Sequence, residues 1–401
     1  MLKLLFSPLV SLFVFTLGSS LFTTLVILRL HEAHFSSLII GAMTSAYYAG
    51  LVIGSFRSER FILRVGHIRA FSFFASLLAV ICIAQGMYVE PWFWLLLRMA
   101  GGFATAGLFI VIESWLLIIG DIKTRGKVLS FYMVTLYAAQ GIGQFLINFG
   151  SPAELTLFAL AAMLSSLAVI PLSITKIGQP EISEPVSLSF LELYKLSTSG
   201  VIGCLCSGLI LGAIYGLLPL FLTQSLPNLT LVSVFMALTI FGGMALQYPI
   251  GKLSDMVDRR IVLIIISCLV TAISIFSIFA FHYIWVSALA LFIFGGLTFT
   301  LYPISISYAC DSLSSSHMVA ATQGLLLTYS IGAAIGPFIS PIFMHYFGKD
   351  GLFIYFCCMS TFMVCFFLWR KTQSPAPVQE DTFVVMPLTT PITAELDPRT
   401  E

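Results

Sequence analysis

The chain has 401 residues, 59% of them apolar against 9% charged, with a mean hydropathy of +1.02. A soluble domain carries about a quarter charged residues, so an ordinary cytosolic or secreted enzyme is excluded and a polytopic membrane protein is expected. Nineteen Lys and Arg balance 18 Asp and Glu to a net charge of +1, which lacks the basic excess that tracks a phosphate backbone and argues against nucleic acid as a partner.

Each crossing of a bilayer core of roughly 30 Å takes about 20 apolar residues in a helix. Lys3 precedes an apolar stretch that reaches the small residues Gly18, Ser19 and Ser20, as in a cleavable leader. The run continues through Leu21 to Leu28, beyond a signal core of about 7–15 residues, and is expected to be the first span, 5–28. Further runs fall near 37–56, 70–89, 92–119, 128–148, 155–175, 198–222, 229–250, 261–281, 284–309, 319–343 and 351–369. Open strands would leave backbone groups unpaired in lipid, and a barrel would alternate in segments of about ten residues. The expected fold is all-α, with twelve transmembrane helices.

Placing the first residue on the cytoplasmic side puts sixteen of the nineteen Lys and Arg inside, from Lys3 to Arg399. Arg29 and Lys349 fall outside and Arg98 within a span. Both termini are therefore expected in the cytoplasm. The connection 176–197, with Pro180, Glu181, Glu184 and Pro185, divides the spans six and six. It reads as a linker between an N-terminal bundle, 1–175, and a C-terminal bundle, 198–371. Residues 372–401 hold five prolines, several threonines and a group of acids, too little apolar surface to fold alone, and a disordered cytoplasmic tail is expected.

Internal similarity points to two related halves. Gly101-Gly102-Phe103-Ala104-Thr105 in span four matches Gly295-Gly296-Leu297-Thr298 in span ten, and Tyr137 to Phe145 in span five matches Tyr329 to Phe338 in span eleven. Parallel six-helix repeats of this kind place substrate near the midplane between bundles.

Span four carries the two deep charges, Arg98 and Glu113. A charge at the bilayer centre costs about 2.5–3.5 kcal/mol, so each needs a partner, water or a function. Fifteen residues apart, they lie about 60° from one another around the helix and about 22 Å apart along it. Arg98, Gly102, Thr105, Phe109 and Glu113 thus share a stripe that is expected to face a cavity. A desolvated carboxyl at Glu113 suits a site that loads and releases a proton, and an ion pair near the inner interface is the alternative. Arg98 suits cavity electrostatics, an anionic substrate or a packing lock. Tyr215 beside Pro219, and Tyr302, Ser305 and Tyr308 beside Pro303, offer hydrogen bonds to a solute, although Ser and Tyr in spans also serve packing. Gln144 and Gln247 are read as interhelical bonds, and Gly332, Gly336 and Pro337 as a site of close packing or bending.

The eight cysteines all fall in or at the edge of apolar runs and are expected to be packing residues. His31, His34, His282 and His345 lie near outer ends, His317 near an inner loop, and His67 is expected to be a solvated loop residue. Metal-protease, hydrolase-elbow and nucleotide-loop signatures are lacking from the sequence. Neither an enzyme nor a resident metal or cofactor is expected.

The sharpest local signal is Gly251-Lys252-Leu253-Ser254-Asp255-Met256-Val257-Asp258-Arg259-Arg260. Asp255 can accept charge-assisted bonds from a helix terminus or an Arg, pairs that a closed inner gate makes and breaks; membrane anchoring by Arg259 and Arg260 is the simpler alternative. The segment resembles the loop motif G-x-x-x-D-x-x-G-R-R of the major facilitator superfamily, with Asp258 at its last glycine. Its first-half partner, carrying Glu59, Arg64, Gly66 and Arg69, matches more loosely because the acid is displaced and the spacing to Gly66 is longer. The stretches Arg98 to Trp115, Gly203 to Leu222, Tyr248 to Arg260, Thr300 to Asp311 and Gln323 to Pro337 resemble the YcaD-type branch of that superfamily.

The resemblance implies a twelve-helix secondary transporter and brings no substrate with it. The expected function is transport of a small organic solute by alternating access in a bacterial-type inner membrane, by a monomer coupled to protons. An uncoupled facilitator or a drug or metabolite efflux pump fits the same residues. Gln144 stands where the antiporter signature of span five places a proline, which counts against efflux. From another class, a membrane receptor or assembly protein on a transporter scaffold would use 372–401 for signalling.

Overall fold

The computed structural model describes residues 2–119, 124–174, 193–195, 197–281, 283–311, 315–373 and 382–399. Among them, twelve long helices follow the apolar runs: α1 Leu2–Glu32, α2 Ser37–Val65, α3 His67–Met87, α4 Pro91–Ile119, α5 Arg125–Gln144, α6 Leu155–Leu167, α7 Thr198–Ser225, α8 Leu229–Met256, α9 Arg259–Ala280, α10 Ile284–Cys310, α11 Ser315–Phe347 and α12 Gly351–Gln373. A 3-10 turn, Phe145–Phe149, extends α5, and Val169–Ser173 extends α6. The linker expected at 176–197 lies outside the described residues except for 193–195 and 197, as does His282.

Local signals set the helix ends. Asn228 Oδ1 accepts the Leu231 N–H at 2.9 Å at the start of α8, and Asp258 Oδ1 accepts the Arg260 N–H at 2.8 Å at the start of α9. Asp258 thus fills the last glycine position of the motif as a helix cap. Gly66, at φ +88°, joins α2 directly to α3 in a backbone conformation that side chains disfavour.

The two halves repeat the same packing. A methyl at Gly50 or Gly102 would lie 1.9 Å from the Met99 or Tyr47 carbonyl oxygen, so α2 and α4 touch backbone to backbone. Gly242 and Gly295 do the same for α8 and α10, at 1.9 Å from Phe292 O and 2.0 Å from Thr239 O. Small residues at such crossings supply the close contact that drives helix association in lipid, where no hydrophobic gain separates helix from tail. α7 and α10 are buried along most of their length, whereas α3, α6, α9 and α12 keep apolar residues such as Val80, Met163, Phe276 and Phe362 exposed, as suits a lipid-facing perimeter.

The halves meet chiefly through α2 with α11, α5 with α8, and α1 with α7. A methyl at Gly41 would sit 2.0 Å from Pro337 O, and Asn148 Nδ2 donates to Ser233 Oγ at 2.9 Å. Both contacts lie on the face opposite the one that carries the α2–α3 and α8–α9 turns, the motif face.

The tail departs from expectation. Residues 382–399 form an ordered segment with a short 3-10 turn, Pro391–Leu396, and Met386, Thr390, Ala394, Leu396 and Asp397 are buried. The segment has too little apolar surface to fold alone, but it borrows a surface, lying against α4, α5 and α11 at the motif face. His67 also departs from expectation: it opens α3, is 3% exposed and packs 6.1 Å from the Trp115 ring.

Candidate functional site

A cavity of about 110 Å³ lies between the halves. Its wall takes Thr16, Ser19, Ser20, Thr23 and Thr24 from α1, Thr44, Tyr47 and Tyr48 from α2, and Met133, Tyr137, Gln140 and Gln144 from α5. Tyr215 and Tyr329 close it from the other half, and Leu388 and Thr389 of the ordered segment line it too. The polar groups recur at helical spacing on α1 and on α5, so each helix turns one hydroxyl- or amide-bearing stripe inward. Gln144 ties the two stripes together, donating to Ser20 Oγ at 2.7 Å and accepting from Thr24 Oγ1 at 2.8 Å. Across the halves, Tyr215 Oη donates to Gln140 Oε1 at 3.3 Å, and the rings of Tyr137 and Tyr215 pack on Phe299 at 5.8 and 5.9 Å.

Arg98 and Glu113 stand one layer behind this wall. The Arg98 guanidinium is 2% exposed and lies over the Tyr47 ring at 4.5 Å and the Phe22 ring at 5.6 Å, a desolvated cation held on aromatic faces. Thr105 sits beside the Tyr47 hydroxyl. Glu113, fully buried, forms no ion pair among the described residues. Three hydroxyls converge on it instead: Tyr132 Oη donates to Oε1 at 2.6 Å, Thr389 Oγ1 donates to the same oxygen, and Thr390 Oγ1 donates to Oε2.

At the motif face, Arg259 bridges two carboxylates, Asp311 Oδ1 at 2.7 Å and Asp255 Oδ1 at 3.1 Å. Arg260 donates to the Tyr308 hydroxyl and lies over its ring at 5.5 Å. The first-half loop builds no such cluster: Arg64 and Arg69 are exposed, and neither they nor Glu59 form an ion pair among the described residues. On the segment, Glu395 has its carboxyl raised above the ordinary range by burial first and by nearby Glu59 second, with Arg125 opposing.

A sequence profile of the Major Facilitator Superfamily matches residues 9–328 and 201–393. The uncharacterized MFS-type transporter YcaD of Escherichia coli is 31% identical over 321 residues, covering 79% of this chain and 82% of that protein, and YcaD of Shigella flexneri matches to the same extent. The chain belongs to the major facilitator superfamily. As a facilitator-family member it is a multi-pass membrane transporter and not an enzyme. Among solved structures, the nucleoside transporter NupG superimposes with a TM-score of 0.76 at 15% identity over 91% of this chain and 98% of that one. A D-xylose-proton symporter gives 0.70 at 12% over 94% and 98%. Both share the fold.

Within this facilitator fold the residues singled out from sequence separate into groups. Tyr215 lines the cavity, Arg98, Thr105 and Glu113 back its wall, and Tyr308 joins Arg260 at the motif face. The Tyr302 ring packs on the Tyr329 ring at 4.8 Å, tilted by 55°. Ser305 bonds its own helix at Leu301 O and fills the space above Gly203, where a methyl would sit 2.3 Å from its hydroxyl, so it packs α7 against α10. Gly332 and Gly336 contact the α7 backbone at Leu205 and Leu209, and Pro337 faces Gly41. Tyr47, Tyr48, Tyr132, Gln140, Asp311 and the Thr389-Thr390 pair were not foreseen. The α1 and α5 polar spacing was the signal available for the wall; none pointed to the threonines.

Closure of the opposite face has a direct check. With the native cysteines replaced, Asn148→Cys paired with Ser233→Cys is expected to cross-link with a short dithiol-reactive reagent. After cleavage at a protease site inserted in 176–197, the halves should stay joined on a gel; separation would show that they do not meet there.

Proposed function

We propose that the chain carries a neutral, hydroxyl- or amide-bearing organic solute across a bacterial inner membrane by alternating access, with the motif face in the cytoplasm and Glu113 as the proton-carrying group. The observation that carries this is the cavity between the halves, walled by hydroxyl, phenol and amide groups, with a carboxylate behind it that has no cationic partner among the described residues. Such a wall matches ligand hydroxyls and amides without selecting for charge. Among the described residues, the cation behind the wall, Arg98, lies over the aromatic faces of Tyr47 and Phe22. That a nucleoside transporter and a D-xylose-proton symporter share the fold is in keeping with solutes of this class and with proton coupling. Sixteen of nineteen basic residues on one side support the orientation.

One proton moving down about 100 mV is worth about 2.3 kcal/mol, enough for a solute gradient of roughly fortyfold at 1.4 kcal/mol per tenfold. The test is accumulation in proteoliposomes, with labelled pentoses, polyols and nucleosides as the panel and an imposed pH gradient. The wild-type chain is expected to concentrate a member of the panel, whereas Glu113→Gln should only equilibrate it, to a ratio near one. Accumulation by Glu113→Gln would remove Glu113 from coupling, and an inert wild-type chain across the panel would remove the solute class.

A further inference from the structure

We propose that the mouth of the cavity at the motif face is a docking surface for residues 382–399 of the same chain, and that solute entering from that side and the docked segment exclude one another. The proposal rests on the transport reading for its consequence, but its geometry stands alone.

Three anchors hold the segment, and they belong to both halves. Phe383 packs on Gly251, where a methyl would lie 2.2 Å from its ring, and its N–H donates to Asp255 Oδ1 at 2.7 Å. The glycine and the first acid of the loop motif thus serve as a seat as well as part of a charge pair: Gly251 leaves room for the ring, and Asp255 four residues on takes the backbone donor. Next, Thr389 and Thr390 place their hydroxyls on Glu113, from the first half. Finally, Asp397 and Arg399 pair with each other at 2.6 Å while buried, and Arg399 donates to Ser307 Oγ of α10 at 3.3 Å. The two opposite charges cancel within the segment, so docking adds no net charge to a low-dielectric site.

Docking has steric and chemical consequences. The cavity that remains is about 110 Å³, well short of the roughly 300 Å³ or more of a typical small-molecule site. Withdrawing Leu388 and Thr389 removes its wall at the motif face. Alternating access needs that face to close while the opposite face opens, which brings the α4–α5 edge toward α10 and α11. The segment stands between those elements, so closure requires it to leave. Both Glu113 oxygens accept its hydroxyls, so a proton reaches that carboxylate unhindered only from the undocked state.

Two measurements that need no solute test this. In a background without native cysteines, Gly251→Cys and Phe383→Cys are expected to form a disulfide on mild oxidation, since the ring of Phe383 already meets the position of the new side chain. In the same background, Met133→Cys, which lines the cavity, should react with a maleimide in nanodiscs about tenfold faster once 382–401 are deleted, as for a docked state favoured about ten to one. Thr389→Ala with Thr390→Ala should fall between. If the deletion does not fold, the double threonine variant and the disulfide carry the test. No disulfide, or equal labelling of the intact and altered chains, overturns the proposal. Because neither readout involves transport, its failure is separate from that of the accumulation experiment.

Discussion

Asp311→Ala is expected to destabilise the protein by about 3–5 kcal/mol, the cost of removing one partner from a buried ion pair. The Arg259 side chain is fully buried and that of Asp311 is 1% exposed, with Nη1 and Oδ1 at 2.7 Å. The second carboxylate on Arg259, Asp255, is 30% exposed, so water already solvates part of it and Asp255→Ala should cost only about 1 kcal/mol. The guanidinium left behind by Asp311→Ala keeps its desolvation and loses its drier counter-charge. Arg259→Met combined with Asp311→Leu removes both charges and is expected to be milder than Asp311→Ala alone. Denaturant or thermal unfolding of the four proteins in one detergent checks the order. Equal losses for Asp311→Ala and Asp255→Ala would show that burial does not govern this pair.

Continuous apolarity made the twelve helices legible, because lipid demands it of each crossing. It did not mark where helices end. α2 runs on to Val65 and α8 to Met256, past the apolar runs ending near 56 and 250, since a helix leaving the membrane keeps its backbone bonds while its side chains turn polar. Glu113 was legible as an ionisable residue in an apolar span. Its partners were not, because Thr389 and Thr390 lie 276 and 277 residues away and two adjacent hydroxyls carry no periodic signal. Arg98 was expected to face the cavity and instead lies behind Tyr47. A lone charge in a span shows that its cost is offset but not whether water or an aromatic face offsets it. Tyr308 and Ser305 lie one turn apart on α10, yet one meets Arg260 and the other Gly203, a distinction set by neighbouring helices rather than by α10. The order of 382–399 escaped notice for a related reason: composition tells whether a segment can fold alone, and this one is held by a surface supplied elsewhere.

Gly102→Ala should be among the most damaging single-methyl changes in the chain, while Gly101→Ala next to it should be tolerated. Helix propensity treats the two alike, favouring alanine by about 1 kcal/mol at each. Packing separates them. The methyl at Gly102 would lie 1.9 Å from the Tyr47 carbonyl oxygen and 2.8 Å from the Leu51 nitrogen, whereas at Gly101 the nearest atom is an Ile81 methyl at 3.8 Å. A backbone neighbour cannot rotate away as a side-chain tip does, so α2 and α4 must part along their contact. The cost should reach about 3 kcal/mol, the upper end for overpacking. The displacement also carries Tyr47, whose ring both lines the cavity and covers Arg98, so a Gly102→Ala protein that still folds should transport poorly. The repeat supplies a second pair. Gly295→Ala meets the Thr239 carbonyl oxygen at 2.0 Å, but Gly296→Ala meets only side-chain atoms, Leu246 Cδ1 at 2.2 Å, Cγ at 2.7 Å and Cβ at 3.0 Å, of which the first two move with the rotamer and the Cβ must give by a few tenths of an ångström. Melting temperatures of the four variants should therefore fall sharply for Gly102 and Gly295, modestly for Gly296 and not at all for Gly101. Equal behaviour within either pair would mean that backbone contact does not set the α2–α4 and α8–α10 crossings.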